Sequence, residues 1–295
     1  MASIALNDKI FTQTALQAFV AKLAPLNAFT RDFSGETARK GDAVIVPLIS
    51  AITATTFNNS YEEGGGTINF ATINVNKHRI ASVDLTDVQV ANSSAAVIDN
   101  LAIQAGEALA KIVLQDIFST ITTTNFGAAV LTTAAANYTI TQVGTFRKTL
   151  AARDVPTDRL SLIADCDVYN ALLTSSGVAQ ALNYGGAEAV RDGQIPRLLG
   201  MSVYESNVIP ANALTKLGAF AVHPDCIALA MRYLAPQAPG EYLAAEQVVA
   251  SNGISMGYRR HYNTATGKHY ANFECLFGFT PALTLGLAIA TVVAA

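Results

Sequence analysis

The stretch that most limits what this chain can become runs from the polar cluster Asn92, Ser93, Ser94 to about Ile121. Apolar residues recur there every three or four positions, through Ile98, Leu101, Ala105, Leu109 and Ile112. Asp99, Asn100, Gln104, Glu107, Lys111 and Gln115 take the other side, so the spacing predicts an amphipathic helix with one buried face. The Ser and Asn oxygens suit the unpaired amides of its first turn, and Asp99 suits the positive end of its dipole. At ~1.5 Å per residue, roughly 27 residues make a rod of about 40 Å, the dimensions of a strut. Small residues line it, and Gly106 costs about 1 kcal/mol relative to Ala in a helix interior, which predicts a close packing partner.

The rest of the composition says how such a strut is covered. Only 14% of the 295 residues are charged and mean hydropathy is +0.31, so the chain either buries a large core or covers its surface with copies of itself. Self-association is the expectation. No membrane span is expected: the charge-free stretch Cys275 to Ala295 is interrupted by Gly278, Thr280, Pro281, Thr284 and Gly286. Residues 1–19 lack the pattern of a signal peptide, so folding in the cytosol is expected. Cys166, Cys226 and Cys275 are odd in number and widely spread, which predicts reduced buried thiols. A net charge of −3 without a basic tract gives no sign of sequence-specific nucleic-acid binding.

Residues 1–40 show a short helix at Thr14 to Leu23 but no stripe strong enough to fold alone, and read as an arm laid over something else. The turn Lys40, Gly41, Asp42 launches the β-rich run Ala43 to Leu48. From Ala51 to Thr86 two extended limbs, Ala51 to Phe57 and Thr67 to Leu85, flank the polar tip Asn58 to Gly66. This predicts a projecting hairpin. Tyr61, Glu62, Glu63, Gly64, Gly65 and Gly66 form the end of that tip; a strand follows the three glycines, which argues against a phosphate loop. Thr122 to Tyr138 reads as a loop or weak strands, and Ile140 to Arg153 as a helix capped by Thr139 or Thr141. Beyond it come a strand over Arg159 to Ala164, a helix Cys166 to Thr174 capped by Asp165, strands over Gly200 to Val208 and Ala219 to Val222, and a helix Cys226 to Met231 capped by Asp225. A long hairpin closes the pattern, Gly253 to Tyr262 against His269 to Phe277.

Candidate chemistry is sparse. Asp165 and Asp167 bracket Cys166, but helix capping explains the first and no third metal ligand stands near. His261 and His269 lie among Arg259, Arg260 and Lys268, which disfavours a cation site and suits a carboxylate on a neighbouring molecule, nucleic acid, or solvent. With no nucleophile-elbow pattern and no glutamate–histidine helix motif, the chain is read as neither an enzyme nor a cofactor-binding protein.

The order of parts, together with local phrases, resembles the major capsid proteins of tailed phages, the Hong Kong 97 fold. The phrases are Lys40 to Pro47; Val155 to Ile163 leading to Asp167 to Leu173; Gly193 to Asn207; and Ala219 to Ala230. Pro196 stands where that family often has glycine. The resemblance implies an α+β fold with an N-terminal arm and entry strand (1–45), an extended loop hairpin (46–88), a peripheral domain on the long spine helix (89–139), an axial domain (140–250), and a return hairpin and C-terminal segment completing the peripheral domain (251–295). It implies subunits gathered as pentamers and hexamers into an icosahedral shell around double-stranded DNA, with scaffolding, portal and decoration proteins as further partners. The place would be the virion, after assembly in the bacterial host cytoplasm. Tyr61, Glu62, Glu63, Gly64, Gly65, Gly66, Lys77, Arg79, Arg259 and Arg260 are the expected assembly contacts. Two alternatives are an encapsulin-like bacterial nanocompartment shell and a cytosolic α+β metal-dependent enzyme using Asp165 to Asp167.

Overall fold

A computed structural model describes residues 8–29, 43–49, 56–57, 68–92, 95–175, 195–210, 216–235, 240, 242–249 and 254–292. Helix α1 spans Asp8–Lys22, α2 Asp87–Asn92, α3 Ala95–Phe118, α4 Thr123–Phe126, α5 Ile140–Ala152 and α6 Cys166–Thr174. The strands are β1 Ala43–Ile49, β2 Ile68–Asn74, β3 Lys77–Thr86, β4 Leu131–Thr133, β5 Ser161–Ala164, β6 Arg197–Leu198, β7 Met201–Glu205, β8 Lys216–Val222, β9 Ile227–Arg232, β10 Ala244–Val249, β11 Ser255–Asn263, β12 Lys268–Pro281 and β13 Leu287–Val292. They form a two-stranded ribbon β1-β2, a sheet ordered β10-β11-β12-β3 with β9 on the far half of β12, and a six-stranded sheet ordered β4-β13-β8-β5-β7-β6.

The predicted rod is α3, 24 residues long, and it serves as the strut. Its buried face, Ile98, Ala102, Leu109, Val113, Ile117 and Phe118, lies in a core that runs without a break from one large sheet to the other. Phe118 meets Phe220 of the six-stranded sheet edge-on at 5.4 Å. Helices α5 and α6 cover that sheet's other face through Val143, Phe146, Leu150, Val168 and Leu172. The capping box on Thr139 and Gln142 fixes the start of α5 as expected.

Residues 8–29 lie over the rest of the chain, as an arm would, but with a stronger apolar stripe than expected. Helix α1 begins six residues before the expected Thr14 and buries Phe11, Ala15 and Phe19, with Leu23 and Leu26 following into the core. Steps of four residues bring Phe11, Ala15 and Phe19 to one side, and buried Thr12 is satisfied by the Asp8 carbonyl at 2.6 Å. The Gly106 expectation is met here. A Cβ at Gly106 would stand 2.3 Å from the carbonyl oxygen of Ala15, so only glycine lets α1 and α3 come this close.

Three further elements differ from expectation. The helix expected over Cys226 to Met231 is strand β9, because Ile227–Met231 is buried on both faces between the ribbon and β12. The turn before it is capped by the imidazole of His223, which accepts from the Asp225 amide, and not by Asp225. Thr122 to Tyr138 holds the short helix α4, capped by Thr122, and the edge strand β4. Asp165 occupies the cap position of α6 but its side chain accepts no hydrogen bond from the first-turn amides; its buried carboxylate is ion-paired with Lys216.

The sheets also cut across the expected divisions at 139/140 and 250/251. β9 and β10, inside 140–250, belong to the sheet of β11 and β12, whereas β13, inside 251–295, lies between β4 and β8. The apolar, charge-free end of the chain is thus a central strand of the middle sheet, which is why it alternates so little.

Candidate assembly surface

The base of the expected hairpin is present, while its outgoing limb Ala51 to Phe57 lies, except for residues 56–57, outside the described residues. β1 pairs antiparallel with β2 in the register Ala43↔Asn74 to Ile49↔Ile68, so the strand that precedes that limb already pairs with the return. The return breaks at Val75 and Asn76: β2 stays in the ribbon, and β3 enters the larger sheet beside β12. The tip residues Tyr61, Glu62, Glu63, Gly64, Gly65 and Gly66 lie outside the described residues.

Alternation splits the ribbon into two faces. Val44, Val46 and Ile73 are buried on Ala228, Ala230 and Leu276. On the opposite face Ile45, Ile68 and Phe70 are 59%, 58% and 67% exposed. Cross-strand pairing sets Phe70 opposite Pro47, so these side chains make one apolar stripe. The root of the ribbon is fixed by close backbone contact. A Cβ at Gly278 would lie 2.1 Å from the Asn74 carbonyl oxygen, and the Lys77 ammonium sits 5.1 Å from the ring centroid of Phe279.

The four cationic candidates are drawn into the subunit's own structure. Arg79 forks onto Asp116 of α3 at 2.7 and 2.9 Å, and that pairing raises its pKa further. Lys77 covers Phe279, as described. Arg259 pairs with buried Glu274 at 2.7 Å and donates to the Leu234 carbonyl at 2.6 Å; His78 reaches Glu274 at 3.0 Å. Arg260 holds Asp8 at 2.9 Å, joined by the Tyr258 hydroxyl at 2.8 Å, so its carboxylate partner is on α1 of the same chain. Burial and Asp8 together push the Tyr258 hydroxyl pKa up, which keeps it protonated and able to donate to Asp8. His261 and His269 do not face each other: His261 stacks on Tyr270 and His269 lies 3.4 Å from Asp87.

What sequence reading missed is the apolar stripe itself. Its signal was present in Val44, Ile45, Val46, Pro47, Leu48 and Ile49, an unbroken apolar run on a strand that the described residues cover on one face only.

No helix among the described residues is long and apolar enough to cross a membrane, and no cluster of three or more metal-binding side chains occurs among them. Asp165 and Asp167 are both engaged by Lys216, the latter at 3.4 Å. Cys226 and Cys275 are buried free thiols, the latter pushed up to about 12 by burial; Cys166 is exposed, contrary to expectation.

A spine helix tying two sheets together, with a two-stranded ribbon whose outer face is apolar, is the arrangement of the Hong Kong 97 fold class. The solved structures agree on the fold. The chain resembles the Cyanophage Pam1 capsid (TM-score 0.63, 13% identity, 93% of this chain and 92% of that one), the capsid of Cyanophage P-SCSP1u (0.60, 15%, 91% and 90%) and a Mycobacterium phage Che8 chain (0.58, 16%, 91% and 90%). No curated protein sequence matches it significantly. Residues 70–273 match the model of the phage capsid protein family, and the chain belongs to that family. It is a phage capsid protein, and the nanocompartment alternative is not favoured.

Proposed function

We propose that the chain is the major subunit of a closed icosahedral shell, built through rings of five and six copies, that encloses double-stranded DNA without reading its sequence. The carrying observation is the outward stripe Ile45, Ile68, Phe70, an apolar surface that the subunit's own described residues leave uncovered and that an adjacent copy would bury. On this reading the subunit has no catalytic role. Portal, scaffolding and decoration proteins are further partners, and the tip acids Glu62 and Glu63 seek cations on an adjacent ring. Assembly takes place in the host cytoplasm and the product is the virion.

Electron microscopy with size-exclusion chromatography on the protein expressed alone tests this. Closed shells, tubes or rings of five or six are expected, if necessary with a scaffolding partner. A monomer or dimer at high concentration, unchanged by that partner, refutes it.

A further inference from the structure

We infer that the two-residue turn Leu199–Gly200 is a contact by which one copy of this chain grips the next, and that it meets the acidic turn Asp154 to Asp158 of that neighbour. The inference rests on the shell reading above and deepens it. β6 and β7 pair with Leu198 opposite Met201, so the loop between them has two residues. Both have positive φ, 51° for Leu199 and 84° for Gly200, the geometry that hairpins meet with Asn, Asp or Gly. Leucine is a poor choice there, because its Cβ crowds the backbone in the left-handed region.

The turn is nevertheless held firmly. Arg147 of α5 donates to the Leu199 carbonyl, and Arg197 donates to the Gly200 carbonyl at 3.3 Å. The φ of +84° at Gly200 favours glycine at the second position, and a Cβ there would also come within 2.8 Å of the Arg147 guanidinium. The Leu199 side chain leans over Gly144 of α5 and remains 39% exposed. The subunit therefore fixes a leucine in a conformation it disfavours and only half covers it. A turn serving the subunit alone would carry Asn; an apolar knob between cations serves a partner.

Strand register indicates where that partner's surface lies. Ser202 of β7, Ser161 of β5, Val222 of β8 and Leu287 of β13 share one row across the six-stranded sheet. The turns before β5 and β7 and after β8 thus emerge at one end of the sheet. Helix α5 crosses that end, from Arg147 at the Leu199 carbonyl to Arg153, which donates to the Leu285 and Leu287 carbonyls. Exposed Arg147, Lys148 and Arg197 make the β6 side basic. On the far side stand exposed Asp154, Asp158 and Asp225, with Arg159 the one exposed cation in 154–159. Copies in a ring meet head to tail, so a basic flank carrying an apolar knob on one copy faces the acidic flank of the next.

The test compares the assembly threshold with subunit stability. Leu199→Asn relieves the backbone, so the unassembled subunit should melt about 2 °C higher or at least no lower, while the protein concentration needed for rings or shells rises roughly tenfold. Assembly of Leu199→Asn at the wild-type threshold overturns the inference. Lys148→Glu and Asp158→Lys should each raise the threshold, and the double variant should return it to within about twofold of wild type. A double variant worse than either single one removes the acidic turn as partner and overturns the inference even if Leu199→Asn behaves as expected. Failure of the wild-type protein to assemble, with or without a scaffolding partner, refutes the shell reading itself and is recognised by occurring before any substitution.

Discussion

Replacing Gly106 by Ala sets two effects of opposite sign against each other. Helix propensity alone favours the change by about 1 kcal/mol in the interior of a 24-residue helix. Sterics oppose it, because the new methyl would stand 2.3 Å from the Ala15 carbonyl oxygen and 3.1 Å from its carbon. Those are backbone atoms of α1, so no side chain can swing aside and the helices must separate by about 1 Å. That loosens Phe11, Ala15 and Phe19, and Phe11 is also packed on Phe273 at 5.3 Å. Overpacking at so rigid a place costs about 3 kcal/mol, leaving a net loss of about 2 kcal/mol. For a chain of this size that lowers Tm by about 4 °C. Thermal unfolding of the dilute, unassembled subunit by circular dichroism reads it, with Ala108→Gly on the exposed side of α3 as a control for propensity. A Gly106→Ala protein as stable as wild type, or more so, would refute the claim that close approach of α1 is why glycine stands there.

The Ile45→Thr, Phe70→Thr double variant changes only outward side chains, so subunit stability should move by no more than about 0.5 kcal/mol while ring or shell formation on size-exclusion chromatography is lost. Burial lowers the His223 pKa, so between that value and the ordinary one near 6.5 the unfolded chain binds more protons than the fold; stability is full above the ordinary value and falls as pH drops through this window. His223→Asn, which keeps an acceptor for the Asp225 amide, should lessen the loss of Tm between pH 7.5 and pH 5, and an equal loss in both proteins would refute it. Of the three free thiols, only Cys166 should react with Ellman's reagent in the native protein, and slowly, because partial burial and Asp165 raise its pKa; all three should react in denaturant.

Local pattern carried much of this fold and none of its long-range choices. α3, α6 and the β11–β12 hairpin follow from local periodicity, and α5 from periodicity together with its capping box. β9 did not: Ile227 to Met231 is an apolar run too short to tell strand from helix, and β12, far along the chain, decides it. The cations were legible as charges but not as partners, since Arg260 finds Asp8 252 residues away and Arg79 finds Asp116 across 37. The ribbon's apolar face was written in the sequence as excess hydrophobicity of β1; only the exposure of Ile45, Ile68 and Phe70, seen in three dimensions, turned that excess into a surface.

The place of β13 inside the middle sheet bears on when this protein can first be whole. Thr132 and Thr291 share a hydrogen bond at 3.0 Å across 159 residues, and among the described residues β13 alone links β4 to β8. Until Leu287–Val292 has been made, that sheet has a gap at its second position and β4 lacks its partner among the described strands. A nascent chain therefore cannot close this sheet before β13 has been made. The Leu199 turn then rests on a sheet whose completion waits on a pairing across 159 residues, so its final support is set by a distant part of the chain.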